Sequence, residues 1–325
     1  MHKLLGWSPM HKLLGCWAMH KLASWRAPCH IVLITLVALA GCGGGSAPER
    51  LSFDEQVRRA ARQSAPDLRA RELIRIAGEQ FQAKDNAGAM QTVKLARQAA
   101  DEVTDLATRA GVYCAGAETL ARAGQSSTAG EFIRAAVAAA EKIEDLESRA
   151  RQFARVAQAQ ARLSPDDAKA TLQQTEKLAE SIPDAYGRVL VLSLAARSYD
   201  MLGRGDEGQR VFSAALLLAG SIDDAQRRTM ALAEIALQQA MAKRQEEAQK
   251  TFQQALQQSE QVQPALARVH AMADVAEKLS RAGSAARAHQ LLIQAEKLAA
   301  SIPQADAQNE ALLLVRSLMA KLPPQ

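Results

Sequence analysis

The chain has 325 residues, a formal net charge of +5 and a sequence pI near 9.1. Residues 1–41 hold Lys3, Lys12, Lys21 and Arg26 and no acidic residue; without those four, the 40 basic residues fall to 36 against 35 acidic ones. A body so close to neutral lacks the basic face and counterion release that nucleic-acid binding requires, so no nucleic-acid partner is expected.

The first 27 residues read as three nine-residue copies beginning Met1-His2-Lys3-Leu4, Met10-His11-Lys12-Leu13 and Met19-His20-Lys21-Leu22. Met19 is the expected start, because it leaves a basic segment of ordinary length before the apolar run Ile31 to Ala40. That ten-residue run is short of the ~20 residues needed to cross a bilayer and fits the apolar region of a secretory leader. It ends in Leu39-Ala40-Gly41-Cys42. This tetrapeptide resembles the bacterial lipoprotein signal, in which the cysteine is acylated and becomes the new N-terminus. The resemblance implies that residues 1–41 are removed and that Cys42 carries lipid (palmitate among its acyl chains). With Gly43 rather than Asp after the cysteine, it also implies the periplasmic face of an outer membrane. Residues 42–51, with Gly43-Gly44-Gly45-Ser46, form a flexible tether.

Past the tether, Ser52 to Glu55 reads as a capping box, with Phe53, Val57 and Ala60 on one face of a capping helix within 52–64. Then a period appears. Arg69, Arg109, Arg149, Arg188, Arg228 and Arg268 are spaced 40, 40, 39, 40 and 40 residues apart. Counted from each arginine as zero, position +8 is always alanine (Ala77, Ala117, Ala157, Ala196, Ala236, Ala276), and +34 is always β-branched (Val103, Ile143, Ile182, Ile222, Val262, Ile302). Bulky residues at +4 with Ile or Val at +7 mark the apolar face of a first helix. Small residues at +20 (Ala89, Ala129, Ala168, Gly208, Ala248, Ala288) and bulky ones at +24 mark a second helix. Turns such as Ala123-Gly124, Leu202-Gly203 and Ala282-Gly283 separate them. The expected organisation is six hairpins at 65–104, 105–144, 145–183, 184–223, 224–263 and 264–303, followed by a capping helix in 304–325. Including both caps, this predicts an all-α solenoid of about fourteen helices. The columns at +8 and +20 are expected to face each other, so that larger side chains there would force the helices apart.

These offsets reproduce the tetratricopeptide spacing, and residues 65–303 resemble that superfamily. The units are longer than its ~34 residues, which points to a lengthened second helix. In tetratricopeptide domains the concave surface comes from first-helix positions equivalent to +2, +5, +9, +12 and +13. The resemblance therefore assigns a protein-binding groove to Arg71, Arg122, Arg151, Arg162, Leu190, Met201, Met230, Leu237 and Met241. Such a groove would be basic near the tether and methionine-rich beyond it, a chemistry that suits a partner helix or extended peptide. The competing outcome is that these residues pack between units and close the groove.

Other motifs have plain structural readings. The arginine column follows aspartates (Asp105, Asp145, Asp184, Asp224) four residues earlier, which reads as an N-cap followed by an arginine able to reach the preceding helix's last carbonyls. Arg204-Gly205-Asp206 lies where a hairpin needs its turn. After residue 41 only His270 and His289 remain, and Cys114 is the sole cysteine besides Cys42, so no metal site, cofactor site or catalytic set is expected. The reading as a whole is a non-enzymatic, lipid-anchored periplasmic scaffold or adaptor that binds envelope proteins. The alternatives are a groove for lipid or a hydrophobic small molecule, or an accessory subunit of a peptidoglycan-remodelling enzyme.

Overall fold

A computed structural model describes residues 51–322; the leader, Cys42 and the glycines of the tether lie outside the described residues. The helices are α1 (Phe53–Ala61), α2 (Pro66–Gln82), α3 (Asn86–Asp101), α4 (Leu106–Arg122), α5 (Ser126–Glu141), α6 (Leu146–Gln160) and α7 (Pro165–Glu180). They continue with α8 (Ala185–Met201), α9 (Gly205–Gly220), α10 (Ala225–Met241), α11 (Gln245–Ser259), α12 (Ala265–Arg281), α13 (Ala285–Ala300) and α14 (Ala305–Lys321). Among the described residues there are fourteen helices and no strand.

Several helix starts have a local cause. Ser52 and Glu55 form the reciprocal capping box of α1. Asp105, Asp145, Asp184 and Asp224 each accept the backbone N–H three residues on, at 2.7, 2.7, 2.9 and 2.6 Å, satisfying an amide that the helix leaves unpaired. Inside the hairpins, the turn residue at +15 is left-handed in five units: Lys84, Gly124, Gly203, Lys243 and Gly283. The third unit is the exception. Its missing residue removes that position, and Ser164 with Pro165 opens α7 instead.

The small columns lie at the closest approach within each hairpin. All six +8 alanines and all six +20 residues are buried. A Cβ added at Gly208 would stand 3.0 Å from the carbonyl oxygen of Ala196, its +8 counterpart. The six β-branched residues at +34 are buried at the ends of the units. Unit length departs from the expectation of a longer second helix. First helices span 15–17 residues and second helices 15 or 16, so the extra length is shared by both.

Beyond each hairpin the two layers behave differently. Every first helix packs on the next (α2 on α4, α4 on α6, and so on to α14), whereas second helices pack on their own partner and on the following first helix. The layer whose members touch lies inside the curve, and the layer whose members spread lies outside. Across the outer gaps reach long charged pairs, including Arg97 to Glu131 and Arg210 to Glu176, both at 2.8 Å. At the end, Arg316 occupies the +8 position of α14, points outward and pairs with Glu296 at 2.9 Å.

Two outcomes test this packing. Ala157→Leu should cost about 1–3 kcal/mol in chemical denaturation, by overfilling the α6–α7 contact, while Arg316→Leu in the same column should stay within about 0.5 kcal/mol because that side chain is exposed. Equal effects would contradict the close-approach account. Lys243→Gly should raise stability by roughly 0.5–1 kcal/mol, since relief of a left-handed lysine outweighs glycine's added chain entropy.

Candidate functional site

The first helices carry two rows of side chains on their inner face. At the C-terminal ends of these helices, the +13 column is an exposed rim: Arg122, Arg162, Met201, Met241 and Arg281. Met201 and Met241 are 55% and 49% exposed, unusual for residues of their apolarity. Arg162 belongs to the turn after α6 rather than to the helix. In the +2 column Arg71 is exposed, while Arg151, Leu190 and Met230 are half-buried. Arg151 pairs with Glu147 at 2.5 Å.

Leu237 departs from the expected groove. It is fully buried within the larger core cluster, because the stacking of α8, α10 and α12 closes over the +9 position of α10. The remaining eight residues assigned from the tetratricopeptide spacing keep at least partial access to solvent.

Between the two rows runs a chain of polar side chains that the sequence reading did not identify. Gln158 Nε2 donates to Ser198 Oγ at 2.7 Å, and its Oε1 accepts from Arg197 Nη2 at 3.5 Å. Arg197 Nη1 donates to Gln238 Oε1 at 3.0 Å and meets Met241 Sδ at 3.2 Å. Gln238 Nε2 donates to Glu234 Oε1 at 2.7 Å, and Lys278 Nζ lies 4.0 Å from Glu234 and 2.5 Å from Asp274. The chain links α6, α8, α10 and α12. Its members recur at +6 (Glu234, Asp274), +9 (Gln158, Arg197) and +10 (Ser198, Gln238, Lys278), so the signal available in the sequence was a set of polar columns at those offsets.

Burial gives these groups unusual electrostatics. Desolvation lowers the pKa of Arg197, only partly offset by Glu234, and the Arg155 and Arg281 charges lower it further. Desolvation likewise raises that of Asp274 against the pull of Lys278. Arg197 has no carboxylate within ion-pair distance among the described residues, and its Nε is buried without a partner.

The other motifs fall into structural roles. Arg109, Arg149 and Arg268 donate from Nε to the carbonyls of Val103, Ile143 and Val262, the +34 residues of the preceding units, at 2.7, 2.6 and 3.0 Å. Arg69 reaches the Gln63 carbonyl from Nη1 at 3.1 Å. Arg188 and Arg228 keep a buried Nε without a partner. Arg204 is the N-cap residue of α9 and pairs with Glu207 at 3.1 Å, so the Arg204-Gly205-Asp206 tripeptide runs from the last turn residue into the first two residues of α9. His270 meets Glu310 at 3.2 Å, both in the +2 column, on α12 and α14. No group of three or more metal-ligating side chains gathers among the described residues.

No family model matches the chain, and no curated protein matches it. Among solved structures it is similar to Ton1535 from Thermococcus onnurineus NA1, at 16% identity over 81% of this chain and 94% of that one, with a TM-score of 0.38. It is also similar to BtubC (BKLC) from P. vanneervenii, at 12% identity over 85% and 95%, with a TM-score of 0.35. A third is a Rap protein complexed with competence and sporulation factor, at 14% identity over 82% and 79%, with a TM-score of 0.34.

Cys114 offers a chemical check on the inner layer. Burial pushes its thiol up to about 12, so at neutral pH it holds negligible thiolate. Iodoacetamide at about pH 8 should leave the Cys114 peptide unlabelled in the native protein and label it in denaturant. Rapid native labelling would mean that the α4 contact opens.

Proposed function

We propose that the protein is a non-catalytic, membrane-anchored periplasmic scaffold that binds envelope proteins along the inner face of its solenoid. The observation that carries this reading is the exposed rim of Arg122, Arg162, Met201 and Met241 on the layer of helices that stack without interruption. Packing between units does not use most of that surface, and an exposed pair of flexible thioethers suits an adaptable protein contact. The lipid anchor rests on Leu39-Ala40-Gly41-Cys42, and several acyl chains would hold the body to a membrane at roughly 0.8 kcal/mol per buried methylene. No described helix is long and apolar enough to cross a membrane.

Crosslinking and affinity capture from native membranes tests the reading. The double variant Met201→Glu with Met241→Gln, which preserves an acceptor for Arg197, should lower recovery of crosslinked envelope proteins about ten-fold, corresponding to ~1.4 kcal/mol. Its stability should stay within about 0.5 kcal/mol of the parent, as both positions are exposed. Undiminished recovery would remove the inner face as the binding surface, and recovery of lipid alone would favour a hydrophobic-ligand groove.

A further inference from the structure

The basic half of the inner face holds a second, more specific feature. A recess of about 240 Å³ opens between α2, α4 and α6, lined by Arg71, Gly111, Cys114, Glu118, Arg155 and Gln158 among others. Its floor is Gly111, the +2 residue of α4, where the neighbouring units carry arginine. From the point where a Cβ on Gly111 would stand, Arg155 Nη1 is 3.6 Å away, Arg71 Nη2 is 3.9 Å and Gln152 Oε1 is 4.0 Å. Two guanidinium groups from different helices thus converge over a backbone without a side chain. Among the described residues neither has a carboxylate within 4.0 Å, whereas Arg151 and Lys278 on the same face do. Glu118 is the one acidic group in the lining, and it does not close on either arginine. Gln158, the far wall, receives the Nη2 hydrogen of Arg197, a third cation without a carboxylate.

We infer that this recess takes carboxylate side chains from an acidic, extended segment of a protein partner, with Arg71 and Arg155 as the two donors. The inference rests on the inner-face reading above. Two planar guanidinium groups that close together present paired N–H donors to a single carboxylate. The floor is open only because residue 111 is glycine. A protein segment fits better than a small anion because the recess is shallow and the cationic surface continues along the same face to Arg122 and Arg162 before giving way to Met201 and Met241. A segment with carboxylates at one end and apolar side chains at the other matches that gradient.

The test uses the full chain in detergent and a fluorescein-labelled peptide of alternating glutamate and leucine, read by anisotropy. The peptide should bind, its glutamine–leucine counterpart should not, and raising salt from about 0.05 to 0.3 M should weaken binding, since exposed charges are screened. Arg71→Gln and Arg155→Gln should each weaken it about ten-fold. Glu118→Gln should tighten it, an effect of opposite sign that a purely structural role would not produce. Gly111→Leu should abolish it by filling the recess while leaving the helical circular dichroism and melting temperature intact, because every neighbour of the added Cβ is at ordinary contact distance. Equal binding of the glutamine peptide, or no effect of Gly111→Leu, would overturn the inference, as would displacement of the glutamate peptide by millimolar inorganic phosphate. If these fail while capture still depends on Met201 and Met241, only the acidic-segment assignment falls; if both fail, the inner-face reading falls with it.

Discussion

The architecture depends on one steric constraint, that two helices of a hairpin can approach closely only where both present a small side chain. Ala157 opposite Ala168, or Ala196 opposite Gly208, sets the separation, and the bulky residues at +4 and +24 fill the space to either side. Because the constraint returns every 39 or 40 residues, each hairpin is built alike and its neighbours dock on it in the same manner. Stability is then nearly a sum of unit and interface contributions rather than the property of one central core. Arg316 shows the constraint by its release: with no second helix opposite α14 among the described residues, an exposed charged side chain occupies the column that is otherwise alanine.

Stacking of the first helices has a further consequence for the inner face. Side chains at +6, +9 and +10 are brought so close in successive units that they cannot all be hydrated, and polar groups there must satisfy one another. The result is the run of hydrogen bonds and ion pairs from Gln158 through Arg197, Gln238 and Glu234 to Lys278 and Asp274. Such a network defines the register between units more than it adds net stability, because each buried charge carries a desolvation cost that its partners only offset. Arg197 is the least compensated member, held by amides and a thioether rather than by a carboxylate.

What the sequence made legible follows from which interactions are periodic and local. Helix starts were readable because an aspartate four residues before an arginine has a local meaning, and the carbonyl that the arginine reaches belongs to the adjoining +34 residue. The glycine turns were readable for the same reason. Lys84 and Lys243 were not, since their left-handed geometry is imposed by hairpin closure and not by the residue type. The eight solvent-accessible groove positions stand at +2 and +13 and the buried Leu237 at +9, and only the three-dimensional stacking shows which of these offsets stays open. The polar chain was missed because its partners lie about 40 residues apart, and no local pattern distinguishes a solvated stripe from one whose members bond to each other.

The third unit is where these themes meet. It lost one residue, and with it the left-handed turn position, and the apolar core divides at its first helix: Val156 and Ala159 join the cluster toward α1, and Ala157 joins the one toward α14. Only small groups around Phe153 and Ile182 lie between. On the outer side a cleft of about 460 Å³ separates α5 from α7, a gap with no charged pair across it among the described residues. Where apolar continuity is weakest, Gln158 and Arg197 carry the connection by hydrogen bonds on the inner side, and a contact made of few directional bonds tolerates small rotations that close-packed alanines do not. The same helix also marks the change of chemistry on the inner face, from Arg71, Arg122, Arg155 and Arg162 on one side to Met201 and Met241 on the other. One residue lost in a single turn thus coincides with a seam in the core, a change of bonding and a change of surface, which makes α6 the joint between two differently surfaced halves of a single solenoid.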